Sequence, residues 1–93
     1  MHECALMQDL MREIEDVARA DNALRVTRIE VRLGALSHFT PEHFREHFVD
    51  ASQGTLAEGA TVAARLATSL DDPNATGVVL ESIEVELPEE VGG

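Results

Sequence analysis

A chain of 93 residues, 44% apolar and 27% charged, suits one soluble domain, which at this length buries roughly 60–65% of its unfolded surface. Eighteen acidic residues against seven basic ones, all arginine, give a net charge of −11. That balance excludes a default nucleic-acid binder, which needs clustered basic side chains, and disfavours an anionic membrane surface. The single cysteine, Cys4, excludes an intramolecular disulfide and a multi-cysteine zinc ribbon. No apolar run reaches the roughly 18–20 residues of a membrane span, and the start is acidic and amphipathic where a signal sequence would be basic and then apolar. The expected location is cytoplasmic.

Residues 3–20 carry a helical period. Leu6, Leu10, Ile14 and Val17 form one stripe, widened by Met7, Met11 and Ala18, with acidic residues, Arg12 and Arg19 opposite. Asp21-Asn22 is the stop, with Asn suited to a left-handed cap. Residues 25–33 change to a strand period, Thr27, Ile29, Val31 and Leu33 alternating with Arg28, Glu30 and Arg32 up to Gly34. Thr40-Pro41 reads as an N-cap followed by proline at the first helical position, and Phe44 and Phe48 give the helix an apolar face to about residue 52.

A second strand is expected over 60–68, with Val62, Ala64 and Leu66 inward. After the turn formers of Asp71–Gly77 a third runs over 78–87, with Ile83, Val85 and Leu87 opposite Ser82, Glu84 and Glu86. The fold class is therefore α+β: helix-strand-helix-strand-strand, with two helices on one face of a three-stranded mixed sheet. The first two strands should be parallel through a right-handed crossover, and the last two antiparallel through a short loop. The order of strands stays open. The solvent face is expected to set Arg28, Arg32 and Arg65 near Glu84 and Glu86. Residues 1–93 form one domain, with a frayed tail over 88–93. Two free sheet edges leave a route to a homodimer.

The chemistry gathers at Met1-His2-Glu3. Histidine at position 2 disfavours removal of the initiator methionine, so the free amine belongs to Met1. That amine, the deprotonated amide of His2 and its ring nitrogen close fused chelate rings and fill three corners of a square plane, the geometry of Ni(II) or Cu(II). The fourth corner is open to the Glu3 amide or carboxylate, the Cys4 thiolate or an incoming partner. Taken by itself, a histidine at position 2 reads more readily as a solvated terminus. Cys4 is either a small core hydrophobe or a thiolate ligand. His43 and His47, at i and i+4, can chelate a divalent ion or line a solvated face, and His38 lies in the turn before them. The spacing lacks the glutamate of a His-Glu-x-x-His metalloprotease. Neither a nucleophile constellation nor a phosphate loop is present, and there is no lysine for Schiff-base chemistry. An enzyme is not expected.

Met1-His2-Glu3 and the amphipathic helix after it resemble the opening of the HypA/HybF hydrogenase-maturation nickel metallochaperones. Val26–Ser37 is similar to that family's first strand and turn, and Thr40–Phe44 to its second helix start. Gly54–Ala60 is similar to its characteristic loop, and Leu80–Glu86 to its closing strand. The resemblance implies the family's two-helix, three-stranded nickel domain, a Ni(II) site at Met1, His2 and Glu3, and two partners, a maturation GTPase and a [NiFe]-hydrogenase large-subunit precursor. Urease assembly is a second destination. The family carries a zinc module with two Cys-x-x-Cys pairs between the last two strands. Here Leu70–Gly77 holds neither Cys nor His, so structural zinc is not expected, and a short hairpin loop is expected in its place. A second reading is a metal-independent adaptor or regulatory paralogue that kept the fold and lost metal delivery.

Overall fold

The computed structural model describes the backbone of residues 2–89 and the side chains of residues 5–89. Helix α1 spans His2–Ala20, strand β1 Arg25–Leu33, helix α2 Pro41–Ser52, strand β2 Thr61–Leu66 and strand β3 Val78–Glu86. The local stops are those the residue types dictate. Asn22 adopts φ 55°, and Asn22 N donates to Arg19 O while Ala23 N donates to Ala18 O at 2.9 Å. This is the paired bond pattern of a Schellman cap. At the start of α2 the Thr40 hydroxyl accepts from His43 N at 3.1 Å, with Pro41 in the first turn.

The sheet order is β2-β1-β3, with β1 parallel to β2 and antiparallel to β3. This corrects the hairpin expectation. The central strand is the one richest in buried apolar positions, Val26, Ile29, Val31 and Leu33, and its two neighbours never pair with each other. The segment 67–77 therefore crosses the end of β1. It is stitched there by Gly34 N to Gly77 O at 2.9 Å and Leu36 N to Ala75 O at 2.6 Å. A Cβ on Gly34 would collide with the Ala75 carbonyl, so this close approach needs glycine.

Two register shifts interrupt the antiparallel ladder, one at Thr27 and one at Glu81. The first changes which β1 residues face inward. Val26 and Ile29 are both buried although three positions apart, and Thr27, expected inward, is half-buried with its hydroxyl donating to Glu84 O at 3.2 Å. One extra residue in a strand resets the alternation in this way. The second shift moves Glu81 onto the outer face. Arg65 lies 2.9 Å and Arg32 3.3 Å from its carboxylate, and Arg32 is 3.6 Å from Asp72. Glu81 thus takes the place expected for Glu84; Arg28 pairs with Glu30 on its own strand and Arg25 with Glu86.

The helices cover one face of the sheet. Their core is Met7, Leu10, Met11, Ile14 and Ala18 of α1 with Phe39, Phe44, Phe48 and Ala57, set on the four buried residues of β1. Val62, Ala64, Ile83 and Val85 of the edge strands pack partly against it. Leu66 and Leu87, expected inward, are 48% and 56% exposed. The first closes an edge strand and the second lies past the end of β3, so each is covered from one side at most. Among the described residues no helix is long and apolar enough to cross a membrane.

Candidate metal centre

Both helices begin at the same end of the molecule. The chain leaves α1 through a tight cap and returns at once as β1, and α2 is the crossover between the parallel strands β1 and β2. Each helix thus runs opposite to β1, so both start toward the end where β1 finishes. Gln8, Met11, Arg12 and Ala51 line one groove between them. Met1 and the side chains of His2, Glu3 and Cys4 lie outside the described residues; the backbone of residues 2–4 forms the first turn of α1.

The histidines of α2 depart from a solvated face. His43 and His47 are half-buried, and their Nε2 atoms stand 2.9 Å apart with ring centroids separated by 4.5 Å. The Phe39 ring lies against both, with centroids 6.0 Å from His43 and 6.1 Å from His47. Phe39 also meets Phe44 edge-on at 5.6 Å. With Thr40 as N-cap, Phe39 occupies N′ and Phe44 N4, the two positions of a hydrophobic staple. The sequence carried that signal, an aromatic residue on each side of the cap, but attention to Thr40-Pro41 alone passes over it. His38 is exposed with φ 66° and has no described contact with the pair. Among the described residues no group of three or more His, Cys, Asp or Glu side chains is gathered for a metal ion. The pair is a bidentate arrangement, then, with no third protein ligand among those residues.

The family model for hydrogenase/urease nickel incorporation, metallochaperone, hypA matches residues 1–69. The chain belongs to the HypA family. The match takes in the Met1-His2-Glu3 tripeptide, both helices and the parallel strand pair. Curated HypA relatives match about two thirds of the chain. The hydrogenase maturation factor HypA of Methylocella silvestris is 43% identical over 60 residues, 64% of this chain and 53% of its own length. That of Aquifex aeolicus is 42% identical over 64% of this chain and 52% of its own length. The chain thus spans about half the length of the curated HypA proteins it matches. The solution structure of the Ni metallochaperone HypA from Helicobacter pylori superposes with a TM-score of 0.74 at 15% identity, covering 92% of this chain and 98% of that one. At that identity the likeness concerns the fold, and it extends the agreement to β3, beyond the family-model match. The HypA family is one of metallochaperones, whose work is binding and not catalysis.

Proposed function

We propose that this HypA-family chain carries nickel for hydrogenase or urease assembly. It holds Ni(II) at the Met1 amine, the His2 amide and ring nitrogens, and Glu3, and passes the ion to an acceptor by ligand exchange. The carrying observation is the family match running through Met1-His2-Glu3. The donor set suits the cargo: an amine, an amide nitrogen and an imidazole supply a square plane. A site at a chain end also suits release, because it can open one ligand at a time without disturbing the core under α1. The remaining corner is left to Glu3, Cys4 or a donor from the acceptor.

The partners that fit this role are a maturation GTPase and the precursor of a nickel enzyme's large subunit. On this reading the loop over 70–77, without Cys or His, stands in place of the zinc module, and nickel handling proceeds without structural zinc. Nickel titration by calorimetry and absorption tests the reading on untagged protein, a His2→Ala variant and a variant extended at the N-terminus. The two variants should lose the square-planar nickel spectrum and bind at least tenfold more weakly in that event. Equal affinity and spectrum in all three would favour the metal-independent adaptor. If a thiolate-to-nickel band is present and Cys4→Ser removes it, Cys4 is the fourth ligand.

A further inference from the structure

The sheet has two outer edges, and they are built differently. Strand β3 carries two register shifts against β1 and presents Glu81, Glu84 and Glu86. Bulges and charges of this kind blunt an edge against further pairing. Strand β2 keeps an unbroken register from Thr61 to Leu66, and Arg65 is its one charged residue. Ala67 N donates to Leu33 O at 2.8 Å, and Leu33 stands opposite Leu66, so the peptide groups of Arg65 and Ala67 face β1. By the alternation of a strand, those of Val62, Ala64 and Leu66 face away from the sheet. One of them already has a side chain on it: Arg45 of α2 donates Nε–H to Val62 O at 3.3 Å. Arg45 is exposed and is the one arginine in no ion pair among the described residues, whereas the other six each have one.

We propose that the outer edge of β2 is a docking site for an extended, acidic segment of a partner protein, which joins the sheet as a fourth strand. An N–H of that segment takes the Val62 carbonyl from Arg45, the outward amides of β2 find carbonyls, and the released guanidinium receives a carboxylate. The exchange leaves no backbone group bare. Charge selects the partner. Arg45 and Arg65 line one open groove of about 570 Å³ with Ala63 and Ala64. Arg65 is committed to Glu81 at 2.9 Å, which leaves Arg45 as the cation without a counter-charge in a chain of net charge −11. Repulsion from distant acidic residues is screened beyond ~8 Å at physiological salt, so the adjacent cation decides. Apolar contact comes from the other face, where Leu66 is 48% exposed and Val49, one turn beyond Arg45 on α2, is 58% exposed. A strand alternating acidic and apolar side chains offers one set to each face. This assignment uses no metal and stands apart from the nickel reading.

The test uses the whole chain, 15N-labelled and without added metal, in about 150 mM NaCl. Three capped seven-residue peptides serve as probes: Glu-Val-Glu-Val-Glu-Val-Glu, its lysine counterpart, and the first peptide N-methylated throughout, which has no backbone donors. The acidic peptide should shift the amide resonances of Val62, Ala64 and Leu66 and slow their hydrogen exchange at least tenfold. Arg45→Gln should weaken that binding at least fivefold and abolish the preference over the lysine peptide, with circular dichroism showing that α2 persists. Several outcomes overturn the proposal. They are equal binding of the lysine or N-methylated peptide, unchanged affinity in Arg45→Gln, shifts confined to residues away from β2, and no binding up to about 5 mM peptide. Protection of the three amides that grows with protein concentration in the absence of peptide makes a second copy the occupant, and overturns it likewise. The comparison among peptides needs no variant, so the result does not depend on Arg45→Gln folding.

Discussion

Gly34 and Glu81 act through contacts distant in sequence, and Phe39 through the helix it precedes. Gly34 lies where segment 67–77 crosses β1, and any side chain there meets the Ala75 carbonyl. Backbone cannot move aside as a flexible side chain can, so Gly34→Ala should destabilise by about 3 kcal/mol, the upper end of overpacking costs. Urea unfolding would show it as a lower midpoint at unchanged slope. Phe39 is 3% exposed and closes the staple over Phe44 while bracing both histidines. Phe39→Ala should cost about 3–5 kcal/mol and broaden the ring resonances of His43 and His47. Glu81 accepts from Arg32 and Arg65 on the outer face. Its side chain is 29% exposed, so Glu81→Gln should cost at most about 1 kcal/mol. That loss should shrink in high salt.

Among the elements, the central strand shows how one residue redirects a face. The alternation of residues 27–33 is legible from Ile29 to Leu33, where each second side chain is buried. It fails at Thr27, because a shift of register against β3 inserts an extra residue, and Val26 takes the inward position. A single chain cannot announce a bulge whose cause lies in the partner strand. The contrast is measurable: Val26→Ala should cost about 2 kcal/mol through a lost methyl pair and its cavity. Thr27→Val, at a half-buried position, should change stability by under about 1 kcal/mol. The start of α2 is a case of full legibility. Thr40 caps it and Pro41 enters it as their residue types require, and Thr40→Ala should cost about 1 kcal/mol.

For the whole molecule the charge imbalance sets the terms. Arg12, Arg19, Arg25, Arg28, Arg32 and Arg65 each sit in an ion pair, while Arg45 donates to Val62 O at 3.3 Å. Seven arginines cannot balance 18 acidic residues. Repulsion among the surplus opposes the compact state at low ionic strength. Added salt screens that repulsion at longer range than it weakens close pairs, which are worth little individually. The melting temperature should therefore rise as NaCl is raised from about 20 to 200 mM, within the range where the Debye length falls toward ~8 Å. A fall would mean that the surface ion pairs outweigh the surplus repulsion.

What the amino-acid sequence determined without help was local or patterned: element order, the Asn22 and Thr40 caps, the α+β class, and the family. These follow from period, capping chemistry and residue blocks carried within short stretches of chain. Tertiary structure alone decided that β1 is central, that 67–77 crosses over Gly34 in place of closing a hairpin, and that Glu81 meets the arginines. It alone brought the Nε2 atoms of His43 and His47 to 2.9 Å against Phe39. The i, i+4 spacing allowed that approach without requiring it. The reason is one of range and geometry: a period records which side of an element is apolar, but strand order and register depend on partners distant in sequence, and ring orientation depends on packing that spacing does not fix.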